Sequence, residues 1–198
     1  MDDRIKKLAQ NLVNYSMKVK KGDKVYIHYI GTSTEQLAEE VIKEVYAVGG
    51  IPFAHYTSSK VQRQILMNCT KEQLQIMAEI DGREMEKMDC YVGIRGTDNV
   101  SELSDVPAEK LNLYDKYYST PVHHDIRVKK TRWVVLRYPT SSMAQLSNMS
   151  TEAFEDFYFK VCNLDYSKMA KAMDKLVEYM DKTDKVRIVG PGTDLTFS

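Results

Sequence analysis

Within about thirty residues the chain runs strand, helix, strand, and this succession restricts the fold more than any other feature. Val25-Tyr26-Ile27-His28-Tyr29-Ile30 is a short β-branched and aromatic run closed by Gly31. Thr32-Ser33-Thr34 can cap a helix over 35–48, whose apolar face is Leu37, Val41, Ile42 and Val45. Gly49-Gly50 ends that helix, and Ile51 to Tyr56 is a second strand. Such a unit belongs to a parallel sheet covered by helices.

The flanking segments extend the pattern. Ile5, Leu8, Leu12 and Val13 recur at helical spacing between Asp3 and Met17. Two helical pieces follow the second strand: Lys60 to Asn68, then Thr70 to about Ile80, opened by a capping box from Thr70 to Gln73. Cys90 to Ile94 reads as a third strand. Ala108 to about Arg127 reads as a helix that Pro121 must break or kink. Trp133-Val134-Val135-Leu136 are four consecutive apolar residues, the pattern of a central parallel strand covered on both faces. Ser150 to Val161 is a helix with Ala153, Phe154, Phe157 and Val161 inward. Tyr166 to Met180 is another, carrying Met169, Met173, Leu176 and Val177. Lys185 opens a fifth strand. The expected fold class is α/β: a three-layer sandwich with a mostly parallel sheet of about five strands, Rossmann-like in outline.

The last stretch, KVRIVGPGTDLTFS, bears on domain organisation. After the Gly190-Pro191-Gly192 turn, Leu195 and Phe197 alternate with Asp194, Thr196 and Ser198, as at the start of a half-buried strand. The division expected is an N-terminal α/β domain over 1–184, with 185–198 as its last strand and the start of a further domain.

Composition excludes several classes. The 28 basic and 28 acidic side chains cancel, which argues against nucleic acid as a partner. No apolar run is long enough to span a bilayer, and the N-terminus has no signal-peptide apolar region. Three widely spaced cysteines, Cys69, Cys90 and Cys162, with no CxxC, suit reduced thiols in the cytoplasm.

No complete active site is visible. Ligands of open parallel sheets sit beyond the strand carboxyl ends, here near Gly31-Thr32-Ser33, Tyr56-Thr57-Ser58, Gly96-Thr97-Asp98-Asn99, Pro139-Thr140-Ser141 and Gly190-Pro191-Gly192. No GxGxxG follows the first strand and no GxxxxGK[ST] occurs, which disfavours a nucleotide-dependent enzyme. His123-His124-Asp125 has metal-ligand residue types, but adjacent helical histidines diverge by about 100°. A solvated helix end is the better reading. His28 and His55 read as core or rim histidines, Asp98 and Asp194 as turn residues before general bases, and Glu39-Glu40 and Glu84 to Lys87 as solvated helix faces. The 13 tyrosines form no stacking stripe for nucleic acid. No residue is assigned as catalytic, cofactor-binding or metal-ligating.

Three stretches carry a family resemblance. One is Lys130-Thr131-Arg132-Trp133-Val134-Val135-Leu136-Arg137-Tyr138-Pro139-Thr140, followed by Ala144 and Met149-Ser150-Thr151-Glu152. Another is Arg187-Ile188-Val189-Gly190-Pro191-Gly192-Thr193-Asp194-Leu195. A looser one joins Lys21-Gly22-Asp23-Lys24-Val25, Val48-Gly49-Gly50 and Ile94-Arg95-Gly96-Thr97-Asp98-Asn99. Together they resemble the N-terminal domain of the thermophilic-type dimetal aminopeptidases, the family that includes aminopeptidases T and S. The resemblance implies a parent that removes the N-terminal residue from peptides with two divalent metal ions of zinc or cobalt type. It implies metal ligands and a catalytic tyrosine in a C-terminal domain beyond this sequence, and a homodimeric parent. This chain is then expected to hold no metal and to be inactive alone, meeting peptide substrate only through the other domain. The alternative is a free-standing α/β module that binds a small ligand or a partner. Internal pairing of Leu195 to Phe197 would favour it.

Overall fold

The computed structural model describes residues 2–198. Contacts divide the chain into two units, residues 2–164 and 165–198. In the first, α1 (Asp3–Gln10) continues as a π-helical segment, Asn11–Ser16. Then come β1 (Lys24–Ile30), α2 (Glu35–Ala47), β2 (Ile51–Thr57), α3 (Ser59–Asn68), α4 (Lys71–Met85) and β3 (Cys90–Arg95). After β3, α5 (Ala108–Tyr114) runs through a π-helical segment, Asp115–Arg127, into α6 (Val128–Lys130). β4 (Arg132–Arg137), α7 (Ser141–Leu146) and α8 (Thr151–Cys162) complete the unit.

The sheet is parallel, in the order β2-β1-β3-β4. Strict alternation sends the two sets of side chains into different layers. Val25, Ile27, Val92, Ile94, Val134 and Leu136 meet Leu8, Val13, Leu37, Val41 and Phe159 on one face. Tyr26, Tyr91 and Val135 meet Met85, Val122 and Ile126 on the other. A sheet between two helical layers is the α/β sandwich expected. No helix among the described residues is long and apolar enough to cross a membrane.

Local chemistry accounts for the element ends. Thr70 Oγ1 accepts from the Gln73 N–H at 3.2 Å and starts α4. Thr32–Thr34 form a 3₁₀ turn whose side chains do not cap α2; instead Thr34 Oγ1 donates back to Gly31 O at 2.6 Å. Pro121 does not end its helix, which passes through it with i→i+5 bonding.

Four further expectations differ from the structure. β4 lies at the sheet edge, not its centre; its apolar run reports two covered faces, with Val134 and Leu136 on one and Val135 on the other, while Trp133 stays 44% exposed. In α8 the inward residues are Phe154 and Phe159, and Ala153, Phe157 and Val161 are exposed, because apolar residues occupy both sides of this helix. Glu40 is buried, its carboxylate accepting from Lys43 Nζ at 2.7 Å, so this part of α2 is not a solvated face. The fifth strand does not join the parallel sheet.

That strand belongs to the second unit: α9 (Tyr166–Asp181), β5 (Val186–Gly190) and β6 (Thr193–Phe197). β5 and β6 form an antiparallel hairpin with Ile188 opposite Leu195 and Val186 opposite Phe197. The Gly190-Pro191-Gly192 stretch turns this hairpin. Arg187 grips Asp194 with two hydrogen bonds of 2.7 Å, which makes Asp194 a structural partner.

Candidate functional site

Parallel register lines up equivalent residues across the strands, so one sheet face reads as three rows. The first is Phe53, Tyr26, Tyr91 and Trp133; the second His55, His28, Gly93 and Val135; the third Thr57, Ile30, Arg95 and Arg137. Helices α3 and α4 and the segment around Tyr114–His123 close over the first two strands and leave a cavity of about 350 Å³. Aromatic and apolar side chains, including Tyr26, Tyr118, Ile65 and Met77, make most of its wall. His28, His55, His123 and Asp81 bring polar atoms to it.

The polar groups are largely paired. His28 sits between the Tyr91 hydroxyl (3.0 Å from Nδ1) and Thr57 Oγ1 (2.9 Å from Nε2). Either hydroxyl can donate or accept, so both neutral tautomers are satisfied. His55 Nε2 lies 3.0 Å from Glu84 Oε1, and its ring stacks on Tyr26 with centroids 4.3 Å apart. The Tyr118 hydroxyl donates to Asp81 Oδ2 at 2.6 Å. Arg127 lies 4.9 Å from the ring centres of both Tyr91 and Trp133. Its Nε and Nη1 are buried without a hydrogen-bond partner.

Burial sets the ionisation of this cavity. It pushes His28 down to about 4, with help from the charges of Arg95, His55 and Arg127. It does the same for His123, down to about 4, with Arg127, His28, Arg95 and His124 adding to the effect. Burial raises the phenols of Tyr26, Tyr91 and Tyr118, the last also through its bond to Asp81. At neutral pH these imidazoles are uncharged and these phenols protonated: donors and acceptors without an activated nucleophile.

A stability prediction follows. The unfolded histidines protonate near 6.5, whereas folded His28 and His123 stay neutral down to about 4. The unfolded state therefore binds more protons in that window, and stability is expected to fall as pH drops from about 6.5 to about 4. The slope is at most about 1.4 kcal/mol per pH unit for each histidine. Urea midpoints of the chain and a His28→Gln, His123→Gln variant, followed across this range, check it. Parallel profiles would mean that the two imidazoles are not held neutral.

The sequence pattern placed His123 with His124 and Asp125 on a solvated helix end. The structure keeps that reading for His124 and Asp125, both exposed, the latter paired with Lys129 at 2.7 Å. It turns His123 inward, at the edge of the Tyr91 and Tyr118 rings. Glu84 likewise leaves the solvated face expected for it and meets His55. Asp98 borders a small hollow with Gly31, Ser58 and Asn99 at the strand ends. Cys69 and Cys90 are buried and Cys162 partly so, all as free thiols. The aromatic and histidine rows were not foreseen. Their signal was the Tyr26–His28 alternation on one strand matched by His55 on the next, which means something only once the register is known.

Metal binding can be tested on the donors present. Among the described residues no three His, Cys, Asp or Glu are grouped to hold an ion. Both His28 nitrogens are occupied by hydroxyls, and His55 meets Glu84. These side chains do not fit a dimetal centre, and no hydrolytic step is derived from them.

Comparison with known proteins gives a family and a similar solved structure. A family model described as thermophilic metalloprotease (M29) matches residues 1–198. Wild-type AmpT from Thermus thermophilus superposes with a TM-score of 0.73 at 18% sequence identity, over 97% of this chain and 52% of that one. The chain thus spans about half the length of that solved structure. No curated protein matches by sequence.

Proposed function

The chain belongs to the thermophilic metalloprotease (M29) family, and we propose that it is the N-terminal α/β domain of a metal-dependent aminopeptidase. The observation that carries this reading is the family match over residues 1–198. In this reading the parent removes the N-terminal residue from peptides, using two divalent ions of zinc or cobalt type held by a second domain. In this reading the 198 residues shape the parent and the second domain supplies its hydrolytic centre. We further propose a homodimeric, cytoplasmic parent; the free, mostly buried cysteines agree with a reducing compartment.

A second reading, a free-standing module that binds a small ligand or partner, has one observation in its favour. Leu195 and Phe197 are paired within the chain, with Ile188 and Val186. Both side chains nevertheless remain about half exposed, at 52% and 48%.

The test compares two proteins with zinc or cobalt: the 198-residue chain, and the product of the whole reading frame that contains it. Leucyl-p-nitroanilide hydrolysis is expected from the longer product and not from the chain. Chelator-sensitive turnover by the chain alone would overturn the division of labour. A reading frame that stops at Ser198 would decide for the free-standing module.

A further inference from the structure

The third row of the sheet face ends in two arginines side by side. Arg95 closes β3, Arg137 closes β4, and they are register partners. Like charges directly opposite on neighbouring strands repel, so such a pair usually has a carboxylate nearby. Here it has none. Arg4, Arg63, Arg83, Arg132 and Arg187 each meet an Asp or Glu. Arg127 is stacked between Tyr91 and Trp133. Among the described residues Arg95 and Arg137 form no ion pair and their guanidinium groups make no hydrogen bond, though both are exposed and adjacent.

Their position is where a parallel sheet receives ligands. The chain leaves β1 for β2 on one side and returns to β3 on the other, so the order reverses between β1 and β3. Ligands of such sheets bind at this switch, beyond the carboxyl ends. Arg95 and Arg137 border a cavity of about 120 Å³ there, with Thr97 and Thr140. Ile30, at the end of β1, is a wall of both this cavity and the larger aromatic one. In the larger cavity the Tyr26 hydroxyl and the His123 ring nitrogens make no hydrogen bond among the described residues, and neither is sealed from solvent as the Arg127 nitrogens are.

We infer that this face binds a small aromatic carboxylate, its carboxylate on the Arg95 and Arg137 guanidinium groups and its ring past Ile30 among the tyrosines. Guanidinium forks match a planar carboxylate with paired hydrogen bonds. The neutral state of His28 and His123 means that these two imidazoles offer no charge to a second anionic group, which suits a ring beside them. A phosphate ester fits less well, because no glycine-rich run of backbone N–H groups follows β1 or β3. The inference is independent of the proposed function.

Isothermal titration of the 198-residue chain with 3-phenylpropionate tests it, with 2-phenylethylamine, acetate and inorganic phosphate as controls. Saturable one-to-one binding of 3-phenylpropionate is expected, weakened at least tenfold in an Arg95→Gln, Arg137→Gln double variant. Both side chains are exposed, so the variant should keep the circular dichroism and melting temperature of the parent chain. Absence of saturable binding, equal affinity for the amine, acetate or phosphate, or undiminished affinity in a folded double variant would each overturn the assignment.

Discussion

Gly31→Ala is expected to destabilise the chain by roughly 3 kcal/mol and to disrupt the carboxyl rim of the sheet. Gly31 has φ +85° and ψ 144°, a backbone conformation that essentially only glycine adopts, where a side chain costs about 1–3 kcal/mol. Space is the larger obstacle. A Cβ at this position would lie 2.0 Å from Gly96 O and 2.9 Å from Gly96 C, both backbone atoms. Gly96 cannot retreat easily. Its N–H donates to Ile30 O at 2.8 Å, Ser33 Oγ donates to its carbonyl at 2.9 Å, and its own Cα faces Thr34 and Ser33. The added methyl therefore has to part the loops that follow β1 and β3. Urea unfolding measures the loss. A change under about 0.5 kcal/mol, the size of an ordinary surface substitution, would show that the two loops do not meet as described.

Leu37→Ala should cost about 2–5 kcal/mol. Leu37 is fully buried in α2, within the core that joins α1 and α2 to β1 and β3. Truncation removes apolar burial and leaves a cavity that a helix bonded along its length cannot collapse to fill. Against a typical total of about 5–15 kcal/mol, that is a large fraction. Leu176→Ala in α9 is the control: the side chain is 59% exposed, and its loss should change stability by no more than about 0.5 kcal/mol. Similar losses from the two substitutions would contradict the burial pattern described for α2.

The elements and their inward faces were legible where one segment has one apolar side. Ile5, Leu8, Leu12 and Val13 are all buried at the positions their spacing predicts, as are Leu37, Val41 and Val45. The Thr70 cap was legible for the same reason, since it involves residues three apart. In α8, with phenylalanines on both sides, the spacing pointed to Phe157, whereas the structure buries Phe159. In β4 the apolar run showed two covered faces but not the neighbour that an edge strand lacks. In 185–198 the alternation showed strands but not their pairing with each other.

The candidate site was much less legible, because its residues lie far apart in the chain. His28, Thr57, Tyr91 and His123 are each unremarkable in sequence; parallel register and the π-helical segment make them neighbours. The same register sets Arg95 beside Arg137. By itself the sequence determined the α/β class, the order of the elements and the family, because periodicity, caps and turns act within a few residues. The tertiary structure alone decided that β5 pairs with β6, that His123 turns inward and that two register-partner arginines form no ion pair among the described residues. Those outcomes depend on which strand lies beside which and in what register, and that is settled by long-range packing.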